Sequence, residues 1–258
     1  MLRQENARKI GLARALSKLG YCSRSRAAEL IRSGHVQLNE TVRRDPETGV
    51  IEGRDRITID GILVETQPFV YLMMNKPRGV ITSASDEKGR TTVYSVLASS
   101  AASAASRKIE PWVAPVGRLD KASEGLLLLT NDSEWAARIT EPKTHLDKTY
   151  HVQVSSVASY EFLRTLTDGV KSESGELLKS KRTVRLRSGE KNCWIEIVLD
   201  EGKNRQIRRM MEAMGVEVLR LIRVAVGPLL LGNLAKGEHR ALTADEKRML
   251  DRAMGRKR

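Results

Sequence analysis

Leu126 to Leu129 are four consecutive leucines, bounded by Gly125 on one side and by the turn-forming Thr130-Asn131-Asp132 on the other. A run this short and this uniformly apolar leaves no side for water, so it predicts a strand buried on both faces. The polar stretch Gly117-Arg118-Leu119-Asp120-Lys121-Ala122-Ser123-Glu124 leads into it. A loop held at the end of a buried strand is a rigid mount for a reactive group. Asp120, between Arg118 and Lys121, has two readings on this pattern: an ion-paired loop residue or a reactive carboxylate.

The 258 residues and 40% hydrophobic content suffice for one large domain, or a small one and a medium one. No apolar run approaches the length of a membrane span, and MLRQENARKIGLAR carries no apolar signal core, so the expected compartment is the cytoplasm, with no membrane contact. Cys22 and Cys193 are far apart and His35, His145, His151 and His239 are scattered, which predicts neither a metal site nor a hydrolytic triad. There is no phosphate-binding glycine motif, so no nucleotide cofactor is expected. The net charge of +13 favours a polyanionic partner, with nucleic acid ahead of an anionic membrane surface.

Near the N-terminus, Leu12, Leu16 and Leu19 recur at helical spacing and predict a helix over residues 8 to 19 that Gly20 ends. Ser23 caps a second helix, with Ala27, Ala28, Leu30 and Ile31 buried and Gly34 at its end. Short strands follow at 36–38, 41–42, 57–59 and 62–64, with Asp60-Gly61 as a hairpin turn. Residues 1 to 44 hold ten Lys or Arg against three acids, and Lys18, Arg24, Arg26 and Arg32 lie in or beside the helices. These cations suit a phosphate-facing surface or a merely solvated one.

Glu65-Thr66-Gln67-Pro68 reads as a polar joint, which divides the chain into residues 1–65, a linker at 66–69 and a larger domain over 70–258. Val70 to Met74 is an apolar strand, broken by Asn75-Lys76-Pro77-Arg78-Gly79 with two exposed cations. The Ala/Ser run at 98–106 reads as a surface excursion. Ser133 caps a short helix. Lys148 to Val154 alternates so that Tyr150, Val152 and Val154 face inward, which leaves Tyr150 open to a core or a site role. A helix over 162–169, strands at 183–187 and 193–199, and an Asn204-capped helix follow. That helix start carries Arg205, Arg208 and Arg209, beside Lys203, and suits phosphate or a carboxylate. Strand material at 219–231 and a helix opened by Thr243 complete an α+β domain on a largely antiparallel, mixed sheet.

LARALSKLGYCSRSRAAELIRSGHVQLNE resembles the S4 RNA-binding module, with Asn39-Glu40 where that module usually has Asn-Gly. NKPRG at 75–79, GRLDKASEGLLLLTND at 117–132, KTY at 148–150, EGKNRQIRRM at 201–210 and RLIRVAVGPLLLG at 220–232 together resemble a bacterial ribosomal RNA pseudouridine synthase of the S4-containing branch. The resemblance implies that Asp120 is the catalytic carboxylate, that Tyr150 lies against the target base and that Arg208 pairs with Asp120. It implies no cofactor, since the isomerisation oxidises nothing and carries no group in. It also implies a base taken out of its stack, at a cost that cationic contacts to the RNA backbone offset. Candidate RNA contacts are Lys18, Arg24, Arg26, Arg32, Lys76, Arg78, Arg118, Lys203, Arg205 and Arg209.

The expected partner is ribosomal RNA, free or in a pre-ribosomal particle, acted on by a monomer, with the large-subunit RNA favoured. The alternative is a non-catalytic S4-type RNA-binding or ribosome-assembly protein.

Overall fold

A computed structural model of the chain describes residues 9–83, 89–99 and 112–255. Residues 100–106 of the Ala/Ser run and the basic tail 256–258 lie outside the described residues. The chain divides into two compact units. The first holds the described residues up to Tyr71, with the described part of 108–114 and Thr130–Ser133; the second holds the remainder. Among the described residues no helix is long and apolar enough to cross a membrane.

The first unit opens with β1 (Lys9–Gly11), α1 (Leu12–Lys18) and α2 (Arg24–Arg32). The helix expected from residue 8 therefore begins at Leu12. Residues 9–11 pair antiparallel with a later strand, Ile10 opposite Val50, and this tertiary pairing overrides their local helical pattern. Ser23 caps α2 as its sequence predicts, its hydroxyl accepting from the Arg26 amide at 3.1 Å.

Strands β2 (Val36–Leu38), β3 (Thr41–Val42), β4 (Gly49–Ile51), β5 (Ile57–Ile59) and β6 (Ile62–Leu63) follow. β3-β2-β5-β6 form one small sheet, and β4 pairs with β1. Asp60 and Gly61, at φ 49° and 82°, make the left-handed hairpin turn. Asn39 and Glu40, at φ 50° and 66°, hold the same sign without a glycine. Leu12, Leu16, Ile31, Val36 and Ile57 fill the core of this unit.

The larger sheet uses β7 (Tyr71–Lys76), β8 (Ala114–Val116), β9 (Glu124–Thr130), β10 (Lys148–Val154), β13 (Arg182–Ser188), β14 (Cys193–Leu199), β15 (Val218–Val226), β16 (Leu229–Leu230) and β17 (His239–Ala241). A separate two-stranded ribbon pairs β11 (Val170–Lys171) with β12 (Leu177–Leu178). The main order is β13-β14-β10-β15-β9-β7-β17, with β16 on β15 and β8 on β9. β10 runs antiparallel to both β14 and β15, whereas β9 and β15 run parallel, so the sheet is mixed and the fold α+β.

The helices are α3 (Val93–Ser99), α4 (Ser133–Thr140), α5 (Tyr160–Asp168), α6 (Gln206–Ala213) and α7 (Ala244–Gly255). Leu166 of α5 and Ile207, Met210 and Met211 of α6 pack on Val152, Ile195 and Ile197 of the sheet. Asn204 does not cap α6. The chain turns left-handed at Arg205 (φ 47°), which takes the cap position without a side-chain bond, and the helix starts at Gln206. Thr243 and Glu246 cap α7 reciprocally, the Glu246 amide donating to the Thr243 hydroxyl at 3.2 Å and the Thr243 amide to the Glu246 carboxylate at 2.8 Å.

All seven residues of β9 are buried, as the leucine run requires. Its register against β15 sets Glu124 beside Ile222 and Gly125 beside Arg223. Gly125 has φ 103°, and a Cβ there would lie 2.3 Å from the Arg223 carbonyl oxygen and 2.8 Å from its nitrogen. Only a residue without a side chain permits this approach. Gly125→Ala is expected to destabilise the protein by about 3 kcal/mol, through backbone strain and a main-chain clash, measured by denaturant unfolding.

Candidate active site

The loop ahead of β9 borders a cavity of about 320 Å³ in the second unit. Gly117, Arg118, Asp120 and Ser123 form one side of it. Lys148 and Tyr150 of β10 and Leu221, Arg223 and Val226 of β15 form another, and Lys203, Arg205 and Gln206 a third. Asp120, the candidate carboxylate, is half-buried at this rim. Tyr150 is half-buried too, with Ile197 and Arg223 beside it on the neighbouring strands, so it both packs on the sheet's core and lines the cavity. Such a cavity is large enough for a nucleoside, and its lining mixes apolar side chains with five cations and the Asp120 carboxylate.

Lys76 holds the loop in place. Expected as an exposed contact, it is instead wholly buried at the end of β7. Its ammonium donates to the carbonyls of Pro77 at 3.0 Å, Asp120 at 3.2 Å and Ser123 at 2.8 Å. Burial pulls its pKa down to about 8, against the attraction of Asp120 and Glu124. An apolar strand ending in a cation was the sign of this in the sequence, since a lysine there can satisfy loop carbonyls as readily as it can face water.

Glu124 anchors the other end of the loop. Its buried carboxylate accepts two bonds from Arg220, both at 3.0 Å, and an ion pair from Lys236 at 2.8 Å. Burial works to raise its pKa, and these bonds outweigh that, holding it below the usual carboxylate range.

Arg208 comes close to Asp120 by a different contact from the expected one. Its Nη2 donates to the Ala122 carbonyl at 3.1 Å, its buried Nε has no partner, and among the described residues it makes no ion pair within 4.0 Å with Asp120. Burial lowers its pKa, Asp120 opposes this as a nearby opposite charge, and Arg205 and Arg78 lower it further. The guanidinium therefore braces the loop two residues beyond the carboxylate, with Nε still able to donate.

The remaining candidates separate into open and engaged cations. Arg118 and Arg205 are exposed at the cavity, and Arg78 is exposed while donating to the Leu219 carbonyl at 3.2 Å. Lys203 pairs with Glu201 and Glu176, and Arg209 turns to Glu176 at 2.7 Å and to Ser172 and Ser174, so Arg209 is not directed at a ligand. In the first unit Lys18 pairs with Glu52 and Arg26 with Glu29, both at 2.9 Å. Arg24 and Arg32 instead border a groove with Lys9 and Arg14, two cations that sequence reasoning did not single out. Among the described residues no group of three His, Cys, Asp or Glu is placed to hold a metal.

A protein-family model described as RNA pseudouridylate synthase matches residues 70–213, and one described as S4 domain matches residues 10–54. Ribosomal large subunit pseudouridine synthase B of Bacillus subtilis is 38% identical over 241 residues, covering 93% of this chain and 94% of that protein. An uncharacterized RNA pseudouridine synthase of Aquifex aeolicus is 35% identical, covering 94% of each. A crystal structure of pseudouridylate synthase superposes with a TM-score of 0.62 at 28% identity, covering 93% of this chain and 99% of that one.

Lys76 generates a prediction with a definite sign. Its folded pKa of about 8 lies below the ordinary 10.5, so below pH 8 both states carry the proton, and between the two values the unfolded chain holds more of it. Stability relative to a Lys76→Met variant should therefore be flat below pH 8 and rise between pH 8 and 10. The expected gain is on the order of 1 to 2 kcal/mol, read from paired denaturant titrations.

Proposed function

The chain belongs to the RNA pseudouridylate synthase family, and from that premise we propose that it isomerises a specific uridine of ribosomal RNA to pseudouridine, with Asp120 as the catalytic carboxylate. The observation that supports this reading is that Asp120, on a loop braced by Lys76, Glu124 and Arg208, and Tyr150, on β10, line one cavity. Residues 1–65 serve as the S4 RNA-binding module and 66–69 as a linker to the catalytic domain at 70–258. Large-subunit RNA is the favoured substrate, which the likeness to the Bacillus subtilis enzyme supports.

The reaction breaks the bond from C1′ to N1, turns the uracil and rejoins it to C1′ through C5. The bonding pair leaves with the base. The Asp120 carboxylate either bonds C1′ or takes a proton from C2′, and it is released when C5 attacks and the sugar is restored. The C5 proton then departs and N1 gains one, so atoms and charge balance with no co-reactant. Tyr150 stacks on the extruded uracil and is placed to relay the C5 proton. Arg208, through its free Nε, steadies the carboxylate as it moves. Arg118, Arg205 and Arg78 receive the RNA backbone around the cavity, and Arg24 and Arg32 receive it on the S4 module.

Pseudouridine mapping of ribosomal RNA from cells with and without this protein should show one uridine that loses its modification, which gives target and activity together. With that RNA, Asp120→Asn is expected to lower turnover on the order of 10³-fold or more while leaving the RNA dissociation constant within about twofold. Wild-type protein that modifies no ribosomal RNA would instead support a binding or assembly role.

A further inference from the structure

Most buried or half-buried cations around this site already have protein partners. Lys76 is bonded to three carbonyls, Arg220 to Glu124 and Arg209 to Glu176. Lys148 and Arg223 are different. Arg223 is 7% exposed on β15, and its Nε donates to the Leu126 carbonyl at 2.7 Å, yet neither terminal nitrogen has a partner among the described residues. Lys148 is half-buried at the start of β10, and its ammonium makes no hydrogen bond and no ion pair among the described residues. Both line the cavity that Asp120 borders.

The two cations also oppose each other. Burial lowers the Lys148 pKa and the Arg223 charge lowers it further, with Asp147 and Asp200 pulling the other way. Those two acids have other partners: Asp147 is bonded by Lys181 at 2.8 and 2.7 Å, and Asp200 lies 3.5 Å from His145. A folded protein gains nothing from two desolvated, mutually repelling cations without a counter-ion, so their arrangement points to an anion supplied from outside. Around them are Leu128, Leu199, Leu221 and Val226. Apolar walls suit a ring whose charge is transient and spread out better than a strongly hydrated phosphate.

We propose that Lys148 and Arg223 form an anion subsite that takes up the negative charge arriving on the uracil ring as its bond to the sugar breaks. This rests on the synthase reading and names two further catalytic residues for it. Heterolysis of the bond from C1′ to N1 leaves the electron pair on N1, delocalised onto O2 and O4, while C1′ becomes electron-deficient beside the Asp120 carboxylate. N–H donors fixed at the ring oxygens stabilise that state more than the neutral bound uridine. No proton needs to move in this step. When C5 attacks C1′ the pair returns to the new bond, the C5 proton leaves and N1 is protonated, and the subsite faces a neutral ring again.

A leaving-group series tests this. The mapped ribosomal RNA fragment is made with uridine or with 5-fluorouridine at the single target position, the fluorine withdrawing the charge the subsite is held to stabilise. Rates of loss of the starting nucleoside, the step both substrates share because a fluorine at C5 leaves no proton to lose and stops the ring short of pseudouridine, are measured in single turnover for wild type, Lys148→Met, Lys148→Arg and Arg223→Lys, each checked for native circular dichroism. Lys148→Met is expected to slow the uridine substrate about 30-fold or more with RNA affinity unchanged, and to raise the fluorouridine-to-uridine rate ratio about fivefold. Lys148→Arg and Arg223→Lys, which keep the charge, should return the ratio towards that of wild type.

Equal slowing of both substrates by Lys148→Met, with no change of ratio, would overturn the subsite and leave a positioning role. Weakened RNA binding with an unchanged single-turnover rate would overturn it in favour of a phosphate contact. Failure of wild-type protein to convert the uridine substrate would remove the synthase reading itself and the subsite with it, an outcome separate from either variant result.

Discussion

Gly125 lying against the main chain of Arg223 is the contact on which the rest of the site depends. Because 2.3 Å would separate a Cβ at 125 from the Arg223 carbonyl, β9 and β15 meet with no side chain between them at that point. The same register delivers two things to one place: the loop with Asp120, which ends where β9 begins, and Arg223 of β15, whose Nε donates to the Leu126 carbonyl. β10, antiparallel to β15, then adds Tyr150 beside Arg223. A carboxylate, an aromatic ring and a buried cation converge because of strand pairing, without any of them bonding to another.

Charge at the site is organised by two opposite rules. Behind the loop, the bracing cations are held: Lys76 by carbonyls, Arg220 and Lys236 by Glu124, and Arg208 in part by Ala122. These contacts fix a main-chain path in surroundings where an unmet donor is costly. Across the cavity, Lys148 and Arg223 are left without counter-ions. A rigid frame on one side and unneutralised charge on the other suit a substrate that is neutral when bound and polarised as it reacts.

How much of this was legible in the sequence follows from which forces act locally. The leucine run announced a doubly buried strand because four adjacent apolar residues have no other satisfactory home, and Ser23 announced its helix because a cap is a local bond. Asp120 and Tyr150 were legible as site candidates through motif order, and both border the cavity. Apart from the Asn204 cap, displaced by the left-handed turn at Arg205, what failed were inferences needing a partner distant in sequence. Residues 9–11 read as helix until paired with 49–51, Lys76 read as exposed until enclosed by carbonyls 44 and 47 positions away, and Arg209 read as open until Glu176 met it. Lys148 and Arg223 sat within quoted motifs and were passed over, since a cation on an alternating strand looks solvated unless the cavity beside it is known.

The bonding of Lys76 bears on how freely this loop can vary. Its three acceptors are all peptide oxygens, so the clamp is indifferent to the side chains at 121 and 122, which can be exchanged among residues of compatible backbone preference without loosening the grip. The shape of the turn is thereby insulated from its chemistry. Such an arrangement lets a lineage retune the surface beside Asp120 for a new RNA context while the main chain that carries Asp120 stays where it is.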